Sequence, residues 1–114
     1  MAVIKVKEVN LEYGYPTAEI AVRNMVDQLM SCKRQGMRAV ILIHGYGSSG
    51  TGGKIKQAVS QKLRDPSMVG IVRTTCPGER WVEKKRTMLN ACPGLRDYES
   101  RISGNYGVTV VLLK

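Results

Sequence analysis

The single histidine of the chain closes an apolar run and opens a glycine-rich loop. His44 ends "RAVILIH", residues 38–44, and five glycines follow within nine residues: Gly45, Gly47, Gly50, Gly52 and Gly53. A lysine-flanked amphipathic stretch, "KIKQAV", comes next. Backbone N–H groups in such a loop, pointing from the start of a helix, make an anion site. Lys54 and Lys56 add positive charge beside it, and Tyr46 lies within the loop. A backbone phosphate of a nucleic acid suits that site as well as a nucleotide does. His44 sits where a buried strand would emerge, a position that often carries chemistry in open α/β sheets. There it could bond a phosphate or protonate a leaving oxygen. The plainer alternatives are a turn that only redirects the chain and a histidine that only braces it.

Two sharper readings of the loop fail. "GYGSSG", residues 45–50, fits the dinucleotide pattern of three spaced glycines, but the residue 20 further on is Asp65, at a helix end and not at the end of the next strand. A Walker loop fails because its first glycine would fall on Ser48 and Ile55 replaces the hydroxyl residue that binds magnesium.

Size and charge narrow the class. The 114 residues suit one domain, and 18 Lys and Arg against 9 Asp and Glu give a net charge of +9. That excess favours a polyanionic partner: nucleic acid, an acidic protein or an anionic surface. No apolar run reaches the ~18 residues of a membrane span. The lysines within "MAVIKVKEVN" break any signal-peptide core, so no membrane association is expected. Three cysteines, Cys32, Cys76 and Cys92, form no C-x-x-C pair. Free thiols in a reducing cytoplasm fit them better than disulfides, and no structural metal site follows from them.

Elements that would position the site alternate along the chain. Residues 3–11 read as an edge strand with outward lysines. Thr17 is placed to cap a helix whose apolar stripe runs Val22, Met25, Val26, Leu29, Cys32, with Gly36 as its stop. Residues 38–44 are too short for a helix and read as a strand buried on both faces. Ile55, Val59 and Leu63 mark a second helix that ends at Asp65-Pro66. Residues 68–75 and 107–114 read as two more strands, the last in the sheet interior. The predicted order is β-α-β-α-β, an intervening segment, then β. Residues 76–104 break the rhythm between two "CPG" triplets, with a short helix around Trp81, Val82, Lys85, Met88 and Leu89. A connection of that length reads as a functional or disordered loop.

The quoted segments together resemble a known family. "ILIHGYGSSGTGGKIKQAV" is similar to the His-Gly-x-Gly-x-Gly motif of the Smr (small MutS-related) domain, which ends a strand and opens the second helix. "VNLEYGYPTAEIAV" resembles that domain's opening segment and "NYGVTVVLLK" its closing strand. The resemblance implies a two-layer α/β sandwich with a four-stranded mixed sheet, similar to the C-terminal domain of a bacterial translation initiation factor. It implies a single Smr-like domain over 1–114, with an atypical insertion at about 76–104. It also implies nucleic-acid binding, DNA before RNA, and in many members nicking endonuclease activity.

Carried over by position, His44, Gly45 and Gly47 match the signature, and Gly50, Gly52 and Gly53 extend it. The family's first strand commonly ends Leu-Asp-x-His-Gly. Here Asn10 stands in the place of the acid and Glu12 in the place of the histidine, within "VNLEYG". Two residues apart in a strand, Asn10 and Glu12 would share a face beside the loop. Asn10 cannot act as a general base, whereas Glu12 could, or could bind a divalent metal such as magnesium or manganese. No resident cofactor follows from the residues themselves.

The expected mechanism is electrostatic. Basic residues neutralise phosphates, one phosphate settles in the glycine loop, and His44 with Asn10 and Glu12 faces it. Tyr13, Tyr15 and Tyr46 are candidates to stack on exposed bases, and Trp81 to anchor its own segment. The competing class is a protein-interaction module that sets its basic face on an acidic partner.

Overall fold

A computed structural model describes residues 5–14, 16–45 and 52–114. Four strands, β1 (Val6–Asn10), β2 (Ala39–Ile43), β3 (Val72–Pro77) and β4 (Val108–Leu113), form one sheet in the order β1-β2-β4-β3. β1 pairs with β2 in parallel, whereas β4 runs antiparallel to both β2 and β3. Three strands therefore point the same way, and β4 is inserted between the second and third of them. All their carboxyl ends meet at one end of the sheet, beside the start of β4.

The anticipated strands and helices are present, and their edges have local causes. Helix α1 (Ala18–Arg34) begins where the Thr17 hydroxyl accepts the Ile20 N–H at 3.2 Å. It stops at Gly36, whose φ of +82° suits glycine. Ala21, Met25, Leu29 and Cys32 are its buried face. Helix α2 (Gly52–Leu63) buries Ile55, Val59 and Leu63. The third strand starts four residues later than the apolar pattern suggests. Pro66–Met68 forms a 3₁₀ turn instead, capped by the Asp65 carboxylate, which accepts the Ser67 N–H at 2.8 Å. β2 and β4 are interior, and β4 is buried along its whole length.

The mixed four-stranded α/β sheet is the one expected, and its helices lie on both faces. Each strand alternates its side chains between the two faces, and both faces are covered. Val40, Leu42, Val111 and Leu113 meet α1 and α2 on one side. Ala39, Ile41, Val108, Val110 and Leu112 meet Trp81, Met88, Leu95 and Ile102 on the other. The segment expected as a loop supplies this second layer. It contains α3 (Trp81–Ala91), a 3₁₀ turn at Pro93–Tyr98, and α4 (Glu99–Ile102). Continuous apolar strands need cover on both sides, which is why this segment folds onto them.

Trp81 is 1% exposed, and its indole N–H donates to Glu99 Oε2 at 2.9 Å. Glu99 also receives Lys85 at 2.7 Å. The indole thus ties α3 to α4, in its expected role as an anchor. Gly78 is buried because the returning chain leaves it no room: a Cβ there would overlap the carbonyl oxygens of Ile102 and Asn105.

Trp81→Ala is expected to lower unfolding free energy by about 3–5 kcal/mol, read from urea denaturation. A cost below about 1 kcal/mol would mean that the segment contributes nothing to the core.

Candidate nucleic-acid interface

Parallel pairing of β1 with β2 sets the geometry of the site. Asn10 is level with Ile43, and the chain beyond both strands stays joined, Leu11 N–H donating to the Ile43 carbonyl at 2.8 Å. The next residues on the two paths are Glu12 and His44. The carbonyl of Gly107, just before β4, accepts both the His44 and Gly45 N–H groups at 2.9 and 3.0 Å. The glycine loop therefore departs from a point fixed on two sides. At that point Gly45 has φ +73°, and a Cβ there would overlap the Glu12 carboxylate. The positive φ is what calls for glycine at position 45, since the Glu12 carboxylate is the end of a flexible side chain that could give way.

Asn10 and Glu12 are brought together as expected. The Asn10 Oδ1 accepts the Glu12 N–H at 2.8 Å, an Asx turn that carries the chain off β1. The turn leaves Glu12 exposed with its carboxylate against Gly45. Gly52 opens α2, Gly53 is half-buried beside it and Lys54 is exposed in its first turn. That turn contains no acidic residue, so nothing within it offsets the positive end of the helix. Tyr46, Gly47 and Gly50, with Tyr15, lie outside the described residues. Tyr13 is 88% exposed next to Glu12.

His44 does not face outward as the sequence suggests. Its ring is fully buried, with Nδ1 2.7 Å from the Gly45 carbonyl oxygen and Nε2 2.8 Å from Thr109 Oγ1. A carbonyl can only accept, so Nδ1 carries the proton and Nε2 accepts from the threonine hydroxyl. Both nitrogens of a neutral ring are thus used internally. Burial holds the imidazole below its ordinary value of 6.5. The bond to Gly45 and the charge of Glu79 partly oppose that shift, and Lys56 adds to it.

Lys56 is committed as well. Its ammonium donates to Glu79 Oε2 at 2.8 Å and to the Tyr106 carbonyl at 2.9 Å, and it lies 5.2 Å from the centre of the Tyr106 ring. Burial is the largest single influence on the Glu79 carboxyl and would raise it, but the Lys56 bond, the bond from its own backbone and the charge of Lys56 together outweigh it and hold the group below its ordinary range. The other Glu79 oxygen is buried with no hydrogen-bond partner among the described residues. Glu79 follows β3 much as Glu12 follows β1 and His44 follows β2, so it belongs to the same end of the sheet.

Sequence reasoning missed Thr109, Glu79 and Tyr106. One polar residue inside the apolar run 107–114 was a signal for Thr109. The charged residue directly after the third strand was a signal for Glu79. A metal would find Glu12 here. Among the described residues no three His, Cys, Asp or Glu side chains converge.

A family model described as the Smr domain matches residues 14–82. The chain belongs to the Smr domain family. The matched range holds α1, β2, His44, Gly45 and α2 and runs into the start of α3. It begins after Asn10 and Glu12. The Smr domain of Thermus thermophilus MutS2, known from its crystal structure, superposes with a TM-score of 0.57 at 28% identity. The match covers 95% of this Smr domain and 98% of that one. Comparison with curated proteins found no match. The Smr family is known for nucleic-acid binding and nicking. No described helix of this Smr domain is long and apolar enough to cross a membrane.

The depressed imidazole makes stability depend on pH. The unfolded histidine takes a proton near pH 6.5, and the folded one resists it. Stability is therefore full above that pH and falls as pH drops toward the lower folded value. The carboxylates with lowered values act only below their own ordinary range, 4.5 for Glu79. Between pH 7 and 5.5, wild type should lose up to about 1.4 kcal/mol per pH unit, and His44→Gln should be nearly flat. Chemical denaturation across that range checks it.

Proposed function

We propose that this Smr domain binds nucleic acid, DNA before RNA, by seating a backbone phosphate at the start of α2. The observation that carries the reading is the convergence of three strand ends on a pinned glycine, next to a helix start that has an exposed lysine and no acid in its first turn. The family's known nucleic-acid binding and the +9 net charge support it. Counterion release by the basic surface supplies most of the affinity, and the helix start fixes the register.

In this proposal His44 is a positioning residue. Its ring holds the Gly45 carbonyl inward and so fixes the backbone where the glycine loop begins. Glu12 is the group we assign to hydrolysis, a reading supported by its carboxylate lying against Gly45. It would take the proton from a water attacking phosphorus as the ester P–O bond breaks. Asn10 orients Glu12 through the Asx turn and handles no proton.

Lys54→Gln is expected to weaken duplex binding several-fold and to lower the log–log salt slope by about one. Glu12→Gln should abolish any plasmid relaxation while leaving duplex affinity unchanged or slightly stronger. Relaxation that survives in Glu12→Gln protein would rule out Glu12 as the hydrolytic group. A parent affinity that does not vary with salt would refute the phosphate mechanism and favour an acidic protein partner.

A further inference from the structure

The amino ends of the same strands form a second concentration of positive charge, far from the glycine loop. Lys5 precedes β1, Arg38 precedes β2, Arg73 lies at the start of β3 and Lys114 follows β4. All four are exposed. Arg38 and Arg73 share a groove of about 410 Å³, and its polar lining is completed by Thr74, Thr87 and Asn90. No carboxylate lines it. Among the described residues, neither arginine belongs to an ion pair.

The sheet register puts the two arginines on one row. The Arg38 carbonyl accepts the Leu113 N–H at 2.9 Å, and Leu113 is level with Val72. Arg73 occupies a bulge between Val72 and Thr74, where it has no cross-strand partner. A bulge of this kind re-aims a side chain away from the ladder. Two strand spacings separate the arginine backbones, about 10 Å, so both guanidinium groups can reach the same phosphate or two consecutive ones. Guanidinium forks flanked by neutral hydroxyl and amide groups suit phosphate oxygens.

We propose that this groove is a second backbone-phosphate contact, so that one nucleic acid is held at both ends of the sheet. The β3 edge provides the path between them. Helix α2 runs back along that edge: Lys56 near its start meets Glu79 beyond the end of β3, and its last turn leads into the Asp65–Ile71 reversal before β3 begins. Its outward flank carries Lys56, Gln57, Ser60, Gln61 and Arg64 along a groove of about 450 Å³ with no acidic lining. Along this path Glu79 and Glu83 are paired with Lys56 and Arg80, and the Asp65 carboxylate caps the turn after α2 by accepting the Ser67 N–H. Asp97 lines the cavity on the other side of Arg38, together with Lys5, which is why the phosphate is assigned to the acid-free groove. The twelve residues of α2 span about 18 Å. At roughly 3.4 Å of rise per strand phosphate, the two contacts lie about five phosphates apart.

The inference rests on the reading that the domain binds nucleic acid, and its test separates the two contacts. A 20-base-pair duplex is titrated against salt with parent protein, the Arg38→Gln/Arg73→Gln double variant and Lys54→Gln. Both arginines are exposed, so circular dichroism and melting temperature should match the parent. The double variant is expected to bind about ten-fold more weakly at 0.1 M salt, with a log–log slope lower by about two. Parent-like affinity and slope in the double variant would overturn the second contact, and a loss confined to Lys54→Gln would leave the glycine-loop reading standing alone. A loss confined to the double variant would support the far groove and remove the loop contact. Salt-independent binding by the parent would overturn both.

Discussion

A neutral imidazole held between a carbonyl and a hydroxyl is the constraint on which the site depends. His44 donates to Gly45 and accepts from Thr109, which joins the end of β2 to the inserted strand β4. Each bond fixes the other through the tautomer. If Nδ1 gives its proton to the Gly45 carbonyl, Nε2 must accept, and a buried threonine hydroxyl then has a partner it could not otherwise find. Gly45 cannot shift without leaving both groups unsatisfied in a dry interior. Glycine at 45 completes the constraint, because the backbone turns through a left-handed conformation against the Glu12 carboxylate. A charged imidazole would lose the acceptor for Thr109, which is the structural counterpart of its depressed proton affinity.

Insertion of β4 between β2 and β3 accounts for where the polar groups gather. With β1, β2 and β3 running in one direction, their carboxyl ends deliver Glu12, His44 and Glu79 to one edge, and the start of β4 brings Tyr106 and Thr109 among them. Acids and a tightly held lysine sit at this end, where chemistry or a register contact would need defined geometry. The amino ends carry exposed cations instead. The net charge of +9 is thus divided by the topology: one end has a structured, partly self-compensated site, and the other has open guanidinium groups.

Much of the scaffold was legible because it follows from periodicity. The stripe from Met25 to Cys32, the triplet Ile55, Val59 and Leu63, and the buried run 39–43 each announce an element, and Thr17 and Gly36 mark its ends. The second layer was not legible, because its contacts are long-range. Trp81, Leu95 and Ile102 have no shared period, and only the packed sheet face shows that they form one surface. The site divided in the same way. The glycines and the proximity of Asn10 to Glu12 could be read from local spacing, whereas the inward turn of His44 could not. That depends on Thr109, 65 residues away, and on the Gly107 carbonyl that draws the His44 backbone inward. Lys56 looked like a free cation for the same reason: its partner Glu79 lies across the sheet end.

The sequence Asn10-Leu11-Glu12 becomes intelligible on this geometry. An aspartate and an asparagine offer the same side-chain oxygen to a backbone N–H two residues on, so the Asx turn at Asn10 keeps its shape while giving up a charge. Glu12 restores a carboxylate two residues later, with a side chain long enough to lie against Gly45. The pair therefore supplies one turn and one negative group, with the charge lying beside Gly45. A carboxylate there repels a bound phosphate unless a proton, a cation or a lysine intervenes. Lys54 is the exposed cation in the first turn of α2. In the proposed function, binding and hydrolysis thus place opposite demands on Glu12: affinity improves when it is neutral, and proton abstraction requires it charged.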